Sequence, residues 1–274
     1  MNGMKSWLLF FLCFCFGVTL SVAQVDRPSS AREELNRGVT AFRSSNYDEA
    51  IEHFNNAVHW DPELKIAHLY LANAHAQYYV PGVDTPENIS HAIHALDEYD
   101  LVLRDDPDDK SAVKGIAFLN LQLKRLDEAR NSYAHAAKID PSDPESFYSI
   151  GVIDWSIVYR DVMETKTKLK LNADQPIFSS HECLYLRAVH LQDVENGIMV
   201  LTHAIDLRKN YSDAMAYLNL LYRMRAELEC GDQTAYAADL RKASQWTDLA
   251  MGTRKKNAEA QTKKNQKPET SSPQ

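Results

Sequence analysis

Apolar and small residues along this chain fall on helical rather than strand spacing, and one stretch sets the pattern for the rest. Between Asn46 and Pro62 the sequence reads Asn-Tyr-Asp-Glu-Ala-Ile, then Phe54, Ala57 and Trp60-Asp61-Pro62. Ala50, Phe54 and Ala57 are spaced by four and three positions, so they share one face of a helix. Small residues with an aromatic between them make a flat stripe on which a second helix can lie close, and the Asp-Pro pair stops the helix. Further along, the frame returns in register as Leu126-Asp127-Glu128-Ala129, Tyr133, Ala136 and Ile139-Asp140-Pro141. The prolines give the period: Pro107 and Pro141 stand roughly 34 residues apart, and Pro62 to Pro107 is one such unit with roughly 11 residues inserted. A fixed period of this length predicts stacked helical hairpins.

The pattern resembles the tetratricopeptide repeat, a two-helix unit in which small residues at unit positions 8, 20 and 27 let the helices nest. In a first unit, 31–64, Gly38, Ala50, Ala57 and Pro62 fill the small and proline positions, with Tyr47 and Phe54 at aromatic ones. The unit 110–143 supplies Ala117, Ala129, Ala136, Pro141 and Tyr133, with Leu126 in place of the usual aromatic. The resemblance implies an all-α fold, a right-handed superhelical solenoid of about five hairpins over 31–250. Its units are 31–64, 65–109, 110–143, 144–211 and 212–251, two of them with enlarged loops.

Helix A of the first unit is expected from about Ala31 to Ser44 and helix B from Tyr47 to Trp60. In the second unit Leu71, Ala72 and His75 hold helix A core positions before the register breaks at Tyr78-Tyr79-Val80-Pro81-Gly82. Thr85-Pro86-Glu87 then restarts a helix, with Thr as cap, Pro at the first position and an acid in the first turn. The insertion at 76–86 reads either as a surface loop or as Tyr78, Tyr79 and the Pro-Gly corner folding back on the solenoid or against a partner. In the fourth unit the first helix should continue past Trp155, Val158 and Tyr159 towards Leu171, enlarging the hairpin by about 34 residues, a whole repeat length. The fifth should end its first helix near Cys230-Gly231, and Ala235 to Met251 should cap the stack. Residues 252–274, polar and basic, are expected to be a disordered tail.

Composition adds a compartment and removes several partners. Lys5, the apolar run Trp7 to Leu20 and the small residues Ser21-Val22-Ala23 predict a secretory signal peptide over 1–23, hence a periplasmic or secreted protein. The run is shorter than the roughly 20 residues of a spanning helix, and an uncleaved anchor is the alternative. Residues 1–23 hold Lys5 and no acid, so without them the chain keeps a net charge of −9, which argues against nucleic acid as a partner. Membrane contact is then expected only through an uncleaved signal or a weak contact of the basic tail. Cys183 and Cys230 remain, an even pair compatible with one disulfide in an oxidising compartment.

Motifs for catalysis are missing: there is no phosphate loop, no Gly-x-Ser-x-Gly, no His-Glu-x-x-His and no Cys-x-x-Cys. His68, His75, His91 and His94 have ligand-like spacings, but the first two fall at repeat core positions and no acid or Cys partner accompanies them. His181-Glu182-Cys183, with His190 nearby, has no identifiable base at a fixed distance. Asn88-Ile89-Ser90 and Asn210-Tyr211-Ser212 fit the glycosylation triplet, which carries no meaning in a bacterial protein. No catalytic residue, metal site or cofactor is expected.

The inserted hairpins, reading Tyr79-Val80-Pro81-Gly82-Val83-Asp84-Thr85-Pro86-Glu87-Asn88 in one and Tyr148 to Trp155 in the other, are followed by Asp213 to Arg223. This arrangement is similar to a group of exported tetratricopeptide proteins from acidobacteria. Stacked hairpins curve into a superhelix whose inner wall is made by the A helices, an extended concave surface rather than a closed pocket, which predicts a non-catalytic scaffold of the bacterial cell envelope or exterior that binds a peptide or protein in that groove. An enzyme or small-ligand or metal binder using the insertion at about 157–190 as a lid is the alternative. In this repeat, helix A positions 2, 5, 9, 12 and 13 face the concavity. Here they give Arg32, Leu35, Phe42, Arg43, Leu69, Asn73, Gln77, Lys114, Phe118, Tyr148, Trp155 and Arg223. Asn73 and Lys114 resemble the carboxylate clamp of chaperone-binding members, except that Gly115 stands where the clamp wants another polar residue.

Topology also predicts that Cys183 pairs with Cys230. Both would lie at the same end of adjacent antiparallel helices, roughly 39 and 30 Å above their shared turn at about 1.5 Å per residue, a mismatch that tilt or unwinding must absorb.

Overall fold

A computed structural model of the protein describes residues 27–178 and 181–265. The expected signal peptide at 1–23 lies outside the described residues. The described residues form ten helices and no strand: α1 (Arg27–Arg43), α2 (Tyr47–Trp60), α3 (Lys65–Tyr78), α4 (Pro86–Asp105), α5 (Lys110–Gln122), α6 (Leu126–Ile139), α7 (Pro144–Lys168), α8 (His181–Leu207), α9 (Ser212–Glu227) and α10 (Gln233–Asn265). Each odd helix packs antiparallel on the even helix that follows, and each hairpin packs on the next. The expected all-α solenoid of five hairpins is therefore the observed architecture.

The small-residue positions explain how closely the helices approach. Ala50, Ala57 and Ala129 have no exposed surface and Ala136 has 1%. Gly38 is required outright, since a Cβ there would stand 2.5 Å from the Phe54 ring. Even the turns repeat: Ser45 (φ 60°) after α1 and Lys124 (φ 58°) after α5 are both left-handed, and they are separated by the same offset as Ala50 and Ala129 in the sequence pattern. The core follows the stack as successive clusters, from Phe54 and Leu71 through Tyr99 and Leu119, then Tyr133 and Ile153, to Leu186, Leu218 and Leu228.

Caps begin helices where the sequence places them. Thr85 Oγ1 accepts a hydrogen bond from the Asn88 N–H, with Pro86 at the first position of α4. Asp109 accepts from Ser111 and Ala112 N–H groups at 3.0 Å, and Asp143 from Glu145 N–H at 3.2 Å and the Ser146 hydroxyl at 2.7 Å.

Three segments differ from expectation. Helix α1 starts at Arg27, with Pro28 in its first turn, rather than near Ala31. Helix α7 stops at Lys168. The tail expected to be disordered from 252 is helical as far as Asn265, because Ala, Glu, Gln, Arg and Lys between 254 and 265 are good helix formers and neither Pro nor Gly interrupts them. Arg254 pairs with Asp213 and Asn257 donates to the Asn210 carbonyl, which lays the start of this extension along the α8–α9 turn.

Candidate binding wall

Curvature decides which helices form the inner wall. Helices α1 and α3, α3 and α5, and α7 and α9 touch; α5 and α7 do not pack together to that extent, and among the described residues neither does any pair of consecutive even helices. Elements that crowd together lie on the short side of a bend, so α1, α3, α5, α7 and α9 make the concave side. All twelve side chains assigned to the groove lie on these five helices.

Their states differ. Arg32, Arg43 and Gln77 are exposed, and so is Phe118 at 46%. Leu35 and Phe42 pack on the first core cluster and Leu69 on the second. Lys114 Nζ lies 2.8 Å from Asp143 Oδ2 and Asn73 Oδ1 accepts the Tyr99 hydroxyl at 2.6 Å, so both residues of the clamp-like pair are engaged within the chain. Gly115, the departure from that clamp, is there for packing: a Cβ would meet the Tyr99 ring at 2.3 Å. Arg223 Nε donates to Asn219 Oδ1 at 2.9 Å.

The long α7 and its neighbour α9 build an aromatic cluster that the sequence only half revealed. Trp155 stacks on Tyr159 (centroids 5.0 Å) and meets Tyr217 edge-on (5.4 Å); Tyr148 meets Tyr217 at 5.7 Å and Tyr211 at 5.0 Å. Burial pushes the Tyr148, Tyr211 and Tyr217 hydroxyls above the usual phenol range, so they stay neutral donors. The Tyr211 hydroxyl donates a short bond to Glu145 Oε2, and Arg208 pairs with the other Glu145 oxygen at 2.6 Å. Tyr159, 40% exposed, and Ile66, 41% exposed, are, like Phe118, large apolar side chains left exposed on these helices. Their signal was present: Tyr159 is four positions beyond Trp155 on one helix face, and Ile66 sits at position 2 of its unit.

The two insertions differ in exposure. Tyr79 is buried and packs in the second core cluster and Tyr78 stacks on His91 at 4.7 Å, while residues 80–87 are exposed, Val80 at 53% and Val83 at 41%. Asn88 holds that loop, donating to the Val80 and Val83 carbonyls and accepting from the Val80 N–H. In the fourth unit Lys166 Nζ donates to the Ala173 carbonyl at 2.8 Å and to Glu227 Oε1 at 2.7 Å, while Glu227 Oε2 accepts from the Ile177 N–H at 3.1 Å. Lys166 and Ile177 are each 2% exposed, so this segment is fastened to α9 rather than poised as a lid. Beside it Cys183 and Cys230 are joined in a disulfide with Cα atoms 5.5 Å apart. Helix α9 ends at Glu227, and the non-helical turn beyond it, with Cys230 at φ 49°, brings the second sulfur level with the first. Cys183 is therefore no nucleophile. Among the described residues no group of three or more His, Cys, Asp or Glu side chains is arranged to hold a metal ion, and no helix is long and apolar enough to cross a membrane.

Comparison with known proteins agrees with this geometry. The tetratricopeptide repeat family model matches residues 35–77 and 94–144. Tetratricopeptide repeat protein 13 of Homo sapiens is 26% identical over 199 residues, 71% of this chain, and the chain spans 22% of that relative's length. Among solved structures, a MamA protein shares 12% identity and a TM-score of 0.58 over 84% of this chain and 95% of its own. MamA from Desulfovibrio magneticus shares 14% and 0.57 over 83% and 96%, and YrrB 12% and 0.52 over 82% and 92%. The chain thus carries tetratricopeptide repeats over residues 35–77 and 94–144, set in an all-helical solenoid like those of MamA and YrrB.

Proposed function

We propose that this protein is a non-catalytic interaction scaffold that binds a peptide or protein along its concave wall and works outside the cytoplasm, in the periplasm or after secretion. The observation that carries the reading is that three inner helices each keep a large apolar side chain exposed, Ile66, Phe118 and Tyr159, the last stacked on Trp155. Large aromatic side chains held by a rigid wall are the usual anchors of binding surfaces. Tetratricopeptide-fold proteins are typically protein-interaction scaffolds, and YrrB is described as having an unusual peptide-binding site. The compartment rests on the apolar leader between Trp7 and Leu20 and on the Cys183–Cys230 disulfide, which belongs to oxidising surroundings.

Phage-displayed peptides selected on the folded chain test the wall. Phe118→Ala and Tyr159→Ala each remove an exposed ring, so the fold should persist while affinity for the selected peptides drops at least about tenfold, the size of a hot-spot loss. Unchanged affinity in both variants would place binding elsewhere.

A further inference from the structure

The histidines of the second unit meet in a way their spacing alone does not show. His75 on α3 and His91 on α4 face each other across the hairpin with their Nδ1 atoms 3.0 Å apart. His94, one turn along α4, places its ring 5.2 Å from the His75 ring. His75 is 9% exposed, while His91 is half-buried and His94 exposed, so the pair opens to solvent on the α4 side. The His91 ring is held flat against Tyr78, whose hydroxyl is hydrogen-bonded to Asp48. Glu98, the carboxylate whose charge reaches His75, is already taken by His68 at 2.6 Å.

We propose that His75 and His91 form a two-imidazole site for a divalent transition-metal ion that prefers nitrogen ligands, zinc being the probe of choice, with water completing the coordination. Two nitrogens bound tetrahedrally at about 2.0 Å from one ion stand about 3.3 Å apart, a few tenths of an ångström from the separation already present. In the metal-free pair one Nδ1 donates its hydrogen to the other. Binding needs both Nδ1 lone pairs, so the donor ring shifts its hydrogen from Nδ1 to Nε2 and no proton leaves the pair. Tyr78 fixes the plane of the His91 ring by stacking on it. This site is independent of the concave wall.

The test uses the full chain stripped with a chelator and titrated with Zn²⁺ at about pH 7.5 against a chromogenic indicator. One saturable site is expected, and long-range ¹⁵N spectra should show the Nδ1 resonances of both His75 and His91 shifting on saturation, with the donor ring moving to the Nε2–H form that the acceptor ring already has. His91→Ala, at a half-buried position that circular dichroism can check for folding, should weaken zinc at least tenfold. His53→Ala, which removes a ring bound to Glu34 in the first unit, should leave the affinity unchanged. Imidazole resonances of His75 and His91 that stay in place at saturating zinc would overturn the site, even if His91→Ala failed to fold. So would zinc bound as tightly by a folded His91→Ala as by the parent.

Discussion

Asp154 and His75 respond to pH in opposite directions. Asp154 is fully buried; Asn196 Nδ2 donates to Oδ2 at 2.7 Å, while Arg130 Nε lies 2.8 Å from Oδ1 without the alignment of a hydrogen bond. Burial outweighs both partners and raises its pKa from 3.8 to about 6. Between those values the native state keeps a proton that the unfolded chain gives up. Stability therefore falls as pH rises through this window, by about 3 kcal/mol when the loss is complete above pH 6. His75 is the reverse: with its pKa lowered from 6.5 to about 4, the unfolded chain takes up the proton first, and stability falls as pH drops between those values by a similar amount, about 3 kcal/mol. The two offset each other from pH 6 to 4. Asp154→Asn keeps the shape and removes the offset, so at about pH 7.5 it should melt no lower than the parent, while its melting temperature should fall more steeply with acid. Thermal melts from about pH 4 to 8 check both; a variant with the parent's acid slope would refute the assignment.

At the scale of the helix pair, the close approach of α4 and α5 rests on Gly115. Helix propensity alone would make Gly115→Ala stabilising by about 1 kcal/mol. The added methyl, however, would meet the Tyr99 ring, which is 2% exposed and tied through its hydroxyl to Asn73, and cannot swing away. Overpacking of about 1–3 kcal/mol outweighs that gain, and urea unfolding should show a net loss of up to about 2 kcal/mol with the m-value unchanged. The two insertions are each held at a few buried anchors. Tyr79 and Asn88 fasten the ends of the first loop, whose residues 80–87 stay exposed, and the Lys166–Glu227 pair fastens the second to α9, because a long segment with no anchor would have to order itself without burying anything.

For the molecule as a whole, the disulfide is the covalent tie between the enlarged hairpin and the C-terminal end of the stack. Its cysteines are 47 residues apart, and the chain-entropy model values a loop of that length at about 4 kcal/mol. Replacing Cys183 and Cys230 by Ser together should lower stability by about that amount in chemical denaturation, and intact-mass analysis without reductant should show the parent two hydrogens lighter than its fully reduced form. Two alkylatable thiols in the unreduced parent would contradict the bond. The number of hairpins, their order and their small-residue seams were legible in the sequence, because Ala50, Ala57, Ala129 and Ala136 act through neighbours at a fixed local spacing. The cysteine pairing was legible for a related reason, since antiparallel helices of known rise bring both residues to one end. What each wall residue is free to do was not. Lys114 was engaged by Asp143 and Asn73 by Tyr99, Tyr159 joined Trp155 in the open cluster, and the Nδ1 atoms of His75 and His91 met across a hairpin. Such pairings depend on where a side chain from another helix comes to rest, and residue spacing carries no record of that; only the packed tertiary structure decides it.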